Sequence, residues 1–377
     1  MKRIGIDIRC LMQSEYSGVS IYTYNLLIKL FEIDNQNQYI LFYNSAQPVK
    51  VPDFPFSNVK VVAKKWPNKL LSLSMRFLQY PKLDKLMGGL DILFLPTWQF
   101  AAWSKSCPMV LTVHDLSSAR YPKFYTRYGR LWHKYLVNPK RLFKKASALI
   151  AISNFTKEEL VALYKTPAAK IYSVYNGLSE EYKLINDLEK LNKIKAKYNL
   201  PEKYIFSLGT IEPRKNIASL LEAVNILRQK NNFSVPLVIA GGKGWASDKV
   251  HRAFREQENV FYLGYVAEED KAALYSQASL FVYPAIYEGF GLPPLEAMAC
   301  GTPVITSNTS SLPEVVGQAG VLVDPYDVEG MSLAIEEVMN DQSLLDDLGN
   351  LGRVQSQKFS WEQCARETLD VFNSSTL

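Results

Sequence analysis

The stretch from Leu280 to Gly301 predicts a strand, a glycine loop and the start of a helix in direct succession. It opens with a short apolar run, typical of a buried strand, and Gly289 and Gly291 then allow the backbone to come close to a ligand. Pro293 and Pro294 suit a first helical turn, because the fixed φ of proline fits there and its missing N–H needs no partner. Free N–H groups and the helix dipole attract anions, so this junction predicts a phosphate site.

Two glutamates bracket the glycine loop. Glu288 directly precedes the loop, and Glu296 lies about one turn inside the predicted helix. Carboxylates beside a phosphate site are suited to accept hydrogen bonds from sugar hydroxyls, each charge-assisted bond contributing roughly 1.5–3 kcal/mol. The pair therefore predicts a site for a sugar that carries a phosphate. A helix start with two solvated glutamates is the alternative interpretation.

Short apolar runs elsewhere in the chain predict a parallel sheet. They are nearly continuous, as expected for strands that are buried on both faces. The clearest of them are Asp91–Pro96, Met109–Asp115 and Ala148–Ser153. Since 377 residues allow about two domains with separate cores, we expect an α/β fold of two doubly wound, Rossmann-like domains. The expected bounds are 1–178 and 179–360, with a C-terminal helix of about 361–377 that packs back on the first domain.

The second predicted domain contains another junction between a strand and a helix. A strand ends at Gly209, a helix with a regular apolar face begins near Ile217, and Arg214 and Lys215 stand at its start. Arginine binds phosphate as a bidentate fork and lysine as a point charge. We therefore expect both cations to contact a diphosphate, and a pair of solvated cations is the alternative.

A histidine follows one of the predicted buried strands. His114 comes directly after the apolar run that ends at Val113. In open parallel sheets the ligand crevice lies outside the carboxyl ends of the strands, which makes His114 a candidate site residue. The alternative is a surface or packed histidine, which is what a lone histidine more often is.

Positive charge is concentrated in the first half of the chain. Residues 1–178 contain 25 Lys and Arg against 10 Asp and Glu, whereas 179–377 contain 18 and 27. Between Asp115 and Glu158 there are ten Lys and Arg, interleaved with aromatic residues, and no acid. This mixture suits an anionic membrane interface or single-stranded nucleic acid, and a solvated basic face is the alternative. No recognised nucleic-acid-binding motif appears, so we expect membrane association and no nucleic-acid partner.

The remaining composition predicts a cytoplasmic protein, peripheral on the inner face of the plasma membrane. The four cysteines are scattered without metal-ligand spacing, which indicates a reducing compartment. The N-terminus has no signal-peptide pattern, and there is no apolar run of about 18 residues. The chain also lacks G-x-G-x-x-G, so a nicotinamide site is not expected.

Two segments of the second half resemble a known family. The string that begins at Glu288 and continues as Glu-Ala-Met-Ala-Cys-Gly-Thr-Pro-Val from Glu296 resembles the donor-sugar signature of the family 4 retaining glycosyltransferases. Gly-Thr-Ile-Glu-Pro-Arg-Lys-Asn, from Gly209, resembles their phosphate-binding segment, with Thr210 where many members have arginine. The resemblance implies the GT-B architecture, in which two domains face each other across a cleft. The C-terminal domain would bind the nucleotide-sugar and the N-terminal domain the acceptor.

The resemblance also implies roles for individual residues. The expected catalytic residues are His114 near the anomeric carbon, Arg214 and Lys215 on the diphosphate, and Glu288 on the sugar hydroxyls. The expected donor-binding residues are Gly18 and Gly209 near the diphosphate, Tyr265 and Val266 against the base, Gly289, Phe290, Gly291 and Leu292 through their backbone, and Glu296 on the ribose. No Asp-x-Asp stands at a strand end, so we expect neither an obligatory metal nor another cofactor.

Together these features predict a retaining, metal-independent hexosyltransferase. It would move a sugar from GDP-mannose or a UDP-hexose to a glycan or lipid-linked acceptor in surface polysaccharide biosynthesis. Two alternatives remain open at this point. One is an epimerase or phosphorylase of the same fold, and the other is a non-catalytic scaffold that binds sugar nucleotides or membranes.

Overall fold

The computed structural model describes residues 1–12, 18–231, 233–245 and 248–375. They divide into two compact units, the first formed by Met1–Gly177 with Phe359–Leu377 and the second by Leu178–Lys358. Most of the turn predicted at 14–18 lies outside the described residues, as do the last two residues of the expected C-terminal helix.

The described part of the first unit contains one parallel sheet of seven strands. The strands are β1 (Arg3–Asp7), β2 (Gln38–Asn44), β3 (Val59–Lys64), β4 (Ile92–Leu95), β5 (Met109–Val113), β6 (Ala148–Ala151) and β7 (Ile171–Ser173). Their order is β3-β2-β1-β4-β5-β6-β7, and every neighbouring pair runs parallel. Because the order reverses between β1 and β4, this is the topological switch point of the unit.

The second unit, as far as it is described, repeats this arrangement with six strands. These are β8 (Ile205–Leu208), β9 (Leu237–Ala240), β10 (Val260–Gly264), β11 (Leu280–Tyr283), β12 (Val304–Ser307) and β13 (Val321–Val323). Their order is β10-β9-β8-β11-β12-β13, again parallel throughout. The expected fold class of two Rossmann-like domains with parallel sheets is therefore confirmed, and the switch point of this unit lies between β8 and β11.

Helices connect the strands in both units. The described α-helices are α1 (Gly18–Ile33), α2 (Asn68–Leu73), α3 (Leu83–Leu86), α4 (Ser117–Arg120), α5 (Arg127–Leu131), α6 (Pro139–Lys145), α7 (Asn154–Tyr164), α8 (Leu188–Tyr198), α9 (Ile217–Asn231), α10 (Asp248–Glu256), α11 (Glu268–Gln277), α12 (Leu292–Ala299), α13 (Leu312–Val316), α14 (Val328–Asn340), α15 (Gln342–Ser356) and α16 (Trp361–Ser374). Several begin at side chains that accept a backbone N–H, which satisfies one of the unpaired donors of the first turn. Such caps are Ser153, Asp187, Asp327, Asp341 and Ser360.

The four inner strands of the second unit, β8, β9, β11 and β12, are buried on both faces, as their apolar sequences predict. In β11, Phe281 and Tyr283 pack into one core cluster, whereas Leu280 and Val282 pack into the cluster on the other face. Successive side chains of a strand point to opposite faces, so both faces must be apolar. This is the reason why a continuous apolar run, rather than an alternating one, marks these strands.

Some local expectations differ from the structure. The alternating run from Arg3 to Arg9 predicts a first strand, but β1 ends at Asp7, whose carboxylate accepts hydrogen bonds from the backbone and guanidinium of Arg9. Strand β7 was not predicted, since Ile-Tyr-Ser contains no apolar run. Arg214 and Lys215 do not begin α9. They lie in a separate 3₁₀ turn, Pro213–Lys215, that ends at Asn216 in a left-handed conformation with φ of 57°.

Two further properties bear on the sequence analysis. Cys10, Cys107, Cys300 and Cys364 are free and buried. No helix among the described residues is long and apolar enough to cross a membrane.

Candidate functional site

The switch point of the second unit brings two loops together. One follows β8 and contains Arg214 and Lys215, and the other follows β11 and contains Glu288. A backbone hydrogen bond of 2.9 Å from the Ile286 N–H to the Arg214 carbonyl joins the two loops. Residues far apart in the sequence therefore meet at the carboxyl ends of neighbouring strands, where open α/β sheets bind ligands.

A buried cluster of charges joins these loops. Lys215 Nζ donates to the Tyr283 hydroxyl at 2.5 Å and to Glu288 Oε1. Arg214 lies 3.1 Å from the same Glu288 oxygen and 2.7 Å from Glu212 Oε1. The Tyr283 hydroxyl in turn donates to Glu288 Oε1 at 2.9 Å. Two cations, two carboxylates and one hydroxyl thus form a connected network.

The network keeps Glu288 charged. Glu288 and Lys215 are 8% and 9% exposed, so both charges are removed from water. Burial raises the pKa of the Glu288 carboxyl, but Arg214 and Lys215 more than offset this and hold it at about 2. Burial and the neighbouring Arg214 charge lower the pKa of Lys215, while Glu288 opposes that change. Glu288 is therefore a carboxylate at neutral pH. Because it is buried, the alternative interpretation of a solvated glutamate is wrong for this residue.

The glycine loop leads directly into helix α12. Gly291 caps the helix with φ of 117°, a conformation that L side chains rarely adopt, and an added Cβ would lie 2.8 Å from Leu312 Cδ2. Ser311 stabilises the glycine loop, because its hydroxyl lies within hydrogen-bond distance of two carbonyl oxygens, 3.0 Å from that of Glu288 and 2.7 Å from that of Phe290. Of the first three residues of α12, Leu292 alone has a backbone N–H, because the next two are Pro293 and Pro294. The helix start places positive helix-dipole potential beside Glu288.

Glu296 lies inside α12 in a second polar cluster. It is 6% exposed and accepts a hydrogen bond of 2.8 Å from the Tyr275 hydroxyl. Burial raises the pKa of its carboxyl to about 7, although Lys271 opposes the rise. Lys271 and the Tyr182 hydroxyl both bond Glu268, whose charge also raises the pKa of Glu296. Glu296 is therefore buried and titrates near neutrality, unlike Glu288.

Three glycines mark the carboxyl ends of β8, β9 and β10. Gly241 has φ of 140°, and a Cβ there would lie 2.0 Å from the Gly209 carbonyl oxygen. Gly264 ends β10 with φ of 69°. Tyr265, which follows, is 59% exposed, whereas Val266 is buried. Glycine at Gly241 therefore lets the backbone after β9 approach the backbone after β8 more closely than any other residue would.

In the first unit, His114 lies at the carboxyl end of β5. Its Nε2 is 2.7 Å from the carbonyl oxygen of Pro96, which follows β4. Because a carbonyl only accepts, Nε2 carries the proton and Nδ1 of the neutral ring is an acceptor. Burial lowers the pKa of His114, and the ring packs edge-on against Tyr22 at 4.8 Å between centroids. Gly18 is the exposed first residue of α1, which also follows a strand of this sheet.

The structure thus brings some expected site residues together and adds others. Arg214, Lys215 and Glu288 form one network, and Gly289–Leu292 connect it to the helix that carries Glu296. Sequence reasoning missed three partners, Glu212, Tyr283 and Tyr275. Of these three, Tyr283 could have been predicted from the sequence, because it is the last residue of a buried strand. Such residues lie at the edge of the sheet where ligands bind.

Comparison with protein-family models matches both units. A model described as "Glycosyltransferase Family 4" matches residues 16–182, and one described as "Glycosyl transferases group 1" matches residues 190–355. The second match contains the whole network around Glu288.

Among curated proteins, relatives from Escherichia coli are mannosyltransferases. The chain is 38% identical to O-antigen chain mannosyltransferase B over 269 residues. This match covers 70% of the chain and 69% of the relative. The chain is 32% identical to the serotype-specific mannosyltransferase WbdA over 249 residues. This match covers 64% of the chain but only 30% of WbdA. The chain therefore spans about a third of the length of this second relative.

Solved structures share the fold over nearly the whole chain. Sucrose-phosphate synthase from Thermosynechococcus elongatus superposes with a TM-score of 0.78 at 21% identity, covering 99% of both chains. HepE of Anabaena, solved in complex with UDP and glucose, gives 0.70 at 16% identity, covering 99% of this chain and 100% of that one. At these identities the likeness concerns the fold alone.

Proposed function

As this chain belongs to glycosyltransferase family 4, we propose that it transfers a hexose from a nucleotide-sugar with retention of the anomeric configuration and without a metal ion. The chain is a glycosyltransferase of polysaccharide biosynthesis with the GT-B class of fold. The network of Arg214, Lys215 and Glu288 at the switch point of the second unit is the observation that carries the proposal.

The sugar donor that we favour is GDP-mannose, with a UDP-hexose as the second choice. The curated relatives named above are mannosyltransferases, which supports mannose as the transferred sugar. The UDP and glucose bound to HepE support the second choice only through the shared fold. The glycine-lined edge near Gly241, with Tyr265 and Val266 beside it, is the proposed site of the base.

Breaking the bond between sugar and phosphate places negative charge on the departing diphosphate. Arg214, Lys215 and the N-terminus of α12 provide fixed positive charge for it, the kind of preorganised electrostatics that usually contributes most to catalysis. Among the described contacts, Lys215 uses two of its three N–H donors on Tyr283 and Glu288, which leaves one for a phosphate oxygen. Protein cations thereby supply what a metal ion would otherwise supply.

The two glutamates are assigned to different parts of the sugar donor. Glu288, charged and held by two cations, accepts hydrogen bonds from hydroxyls of the transferred sugar, with the backbone of Gly289, Phe290, Gly291 and Leu292 beside it. Glu296 accepts hydrogen bonds from the ribose. The family resemblance assigns Gly18 and Gly209 to the diphosphate.

His114 is proposed to position the sugar near its anomeric carbon rather than to act as a general base. The neutral ring has its Nε2 proton bonded to Pro96, so Nδ1 can accept a hydrogen bond from a sugar hydroxyl. A lowered pKa keeps the ring neutral at pH 7.

The proposed acceptor is a glycan or a lipid-linked glycan on the inner face of the plasma membrane. The O-antigen relatives support a surface polysaccharide. The excess of Lys and Arg in residues 1–178 supports peripheral association of the first unit with an anionic membrane from the cytoplasmic side.

A panel of sugar donors tests this function. The chain is incubated with GDP-mannose, UDP-glucose and ADP-glucose in the presence of EDTA, and binding and slow donor hydrolysis are measured. We expect GDP-mannose to bind and to release GDP, with the α-anomer of mannose formed first in the NMR spectrum. Turnover that appears only after Mg²⁺ is added would contradict metal independence, and no binding across the panel would contradict the donor site. Donor consumption that requires orthophosphate, or that yields an epimerised sugar nucleotide, would favour a phosphorylase or an epimerase.

A further inference from the structure

A small recess opens to solvent on the first unit, and neither His114 nor Gly18 is among the described residues that line it. It lies between the π-helical turn Ser74–Leu78, the chain that follows β4 and helix α6. Among the described residues, its lining includes three cations, Arg76, Arg141 and Lys145, and no Asp or Glu. The described lining therefore concentrates positive charge in one concave site.

Neutral groups hold two of these cations in place. The guanidinium of Arg76 donates to the Tyr135 carbonyl at 2.9 Å. Lys145 Nζ lies 5.7 Å from the centre of the Trp103 ring and 3.5 Å from Gln79 Oε1. Burial lowers the pKa of both Arg76 and Lys145, and the charge of Arg141 adds to this in each case. The cations repel one another, so an anion in the recess would relieve their repulsion.

The three cations define the ligand chemistry of the recess. Gln99 also lines it, but its Nε2 atom is buried from solvent and lies out of reach of a ligand there. Three cations around one recess fit a ligand with several anionic oxygens, and phosphate has this chemistry.

The surface beside the recess is apolar. Five residues on or next to the turn that carries Arg76 are exposed by about half or more: Leu70 by 66%, Leu73 by 48%, Phe77 by 62%, Leu78 by 76% and Tyr80 by 68%. The segment between Asp53 and Asp84 contains six Lys and Arg and no acid. Exposed apolar residues beside a cluster of cations are typical of a surface that lies in a membrane interface.

We propose that this recess binds the phosphate group of an anionic lipid while Leu70–Tyr80 enter the membrane interface beside it. The guanidinium groups of Arg76 and Arg141 and the ammonium group of Lys145 offer N–H donors to the phosphate oxygens. The proposal rests on the membrane association proposed above, and it names the site and the ligand chemistry of that association. It does not depend on the identity of the sugar donor.

Helix α6 offers a matched pair of variants for the test. Arg141→Gln with Lys145→Gln removes two cations that line the recess. Lys140→Gln with Lys144→Gln removes two exposed cations of the same helix that do not line it. Both doubles change the net charge equally, so general attraction to an anionic surface weakens to a similar extent in each. A difference between them therefore reports the recess.

Binding of the full chain is measured by sedimentation with vesicles of phosphatidylcholine mixed with phosphatidylglycerol. We expect the recess double to weaken binding about tenfold more than the control double. Equal losses in the two doubles would overturn the proposal in favour of delocalised attraction. Calorimetry with sodium pyrophosphate distinguishes the source of the phosphate. If pyrophosphate bound through Arg141 and Lys145 but vesicles did not, the lipid assignment would be overturned.

Hydrolysis of GDP-mannose is measured on the same variants. Both doubles are expected to retain the wild-type rate, because none of the four residues lies in the second unit. A wild-type chain that binds vesicles through the recess but does not bind any sugar donor would refute the proposed function alone. A chain that hydrolyses the donor normally while the two doubles bind vesicles equally would refute the recess alone.

Discussion

At the scale of single residues, the structure places two glutamates of one short segment in opposite electrostatic environments. Glu288 faces Arg214 and Lys215 and stays charged, whereas Glu296 lies in a buried pocket near Glu268 and titrates near neutrality. The two carboxyls are similarly buried, so their pKa values differ because they meet different charged groups. Eight positions apart in sequence, they therefore respond to mutation and pH in different ways.

Removing one side of the ion pair leaves a buried charge uncompensated. We expect Glu288→Gln and Lys215→Met each to lower the free energy of unfolding by about 3–5 kcal/mol. The double variant should lose less than the sum of the two, because neither charge is then unpaired. Urea denaturation of the four proteins measures this cycle, and Glu222→Gln, an exposed glutamate of the same unit, is the control.

The same variants report on catalysis. We expect Glu288→Gln to lower kcat by about 100-fold or more, the scale found when a preorganised charge contact is lost. Glu222→Gln should retain the wild-type kcat. Strictly additive stability losses in the double variant would contradict a direct pair, and a normal kcat in Glu288→Gln would remove this residue from the mechanism.

The pKa of Glu296 predicts pH-dependent binding of the sugar donor. Its pKa is raised from 4.5 to about 7. As the pH rises, the unfolded chain therefore loses this proton at a lower pH than the folded protein does. The stability that this proton contributes is complete below about pH 4.5 and is lost as the pH rises through about 7. Donor affinity should change in the opposite direction, because only the carboxylate accepts from both ribose hydroxyls.

Calorimetry with the sugar donor at about pH 6 and about pH 8 measures this effect. We expect tighter binding at the higher pH in the wild type and no such difference in Glu296→Gln. An equal pH dependence in both proteins would assign it to another group. Glu288 contributes in a different window, since its stabilisation is lost as the pH falls from about 4.5 towards 2.

At the scale of elements, the loops that follow β8 and β9 approach each other closely, and one of them needs an unusual backbone conformation. Gly241 and Gly242 are adjacent, but they differ in what a side chain would meet. An added Cβ at Gly241 would lie 2.0 Å from the Gly209 carbonyl oxygen and would require φ of 140°, whereas at Gly242 there is open space within 4 Å. The close approach of the β8 and β9 loops therefore depends on one glycine of the pair.

Alanine at these two positions gives a matched comparison. We expect Gly241→Ala to lower the free energy of unfolding by about 2 kcal/mol or more and to weaken donor binding, because the Gly209 loop must move. Gly242→Ala should stay within about 0.5 kcal/mol of the wild type. Urea midpoints and donor titrations measure both effects. If the two variants were equally stable, the close approach would not constrain the loop.

At the scale of the whole molecule, the last helix belongs to the first unit although the second unit precedes it in sequence. Helix α16 packs on α1, with Phe372 5.1 Å from the Phe94 ring and Trp361 6.0 Å from the Tyr22 ring. The backbone of Trp361 also fills the space beside Gly177, where a Cβ would lie 2.1 Å from the Trp361 nitrogen. The first unit is therefore incomplete without the C-terminal segment.

Phe372→Ala tests this organisation. Phe372 is fully buried, so we expect a loss of about 3–5 kcal/mol, confined to the first unit. Hydrogen exchange should show faster exchange in β1 and β4 and unchanged protection in β8 and β11. Val354→Ala, at a side chain that is 62% exposed, is the control. Equal deprotection of both sheets would contradict the assignment of α16 to the first unit.

The sequence by itself determined the features that depend on neighbouring residues. Apolar runs located most strands, glycines and prolines marked the loop before α12, and the string around Glu288 identified the family. These signals are local, because strand burial, turn chemistry and helix starts depend on residues a few positions apart. Strand β7, Ile-Tyr-Ser, contains no apolar run and therefore shows no such pattern.

Only the tertiary structure decided which residues meet. The pairing of Lys215 with Glu288 and Tyr283, the approach of Gly241 to Gly209 and the packing of Phe372 on Phe94 join positions that are distant in the chain. Side-chain periodicity shows that a residue is buried but not what it is buried against. The charge states of Glu288 and Glu296 follow from those partners, so they too were set by the fold.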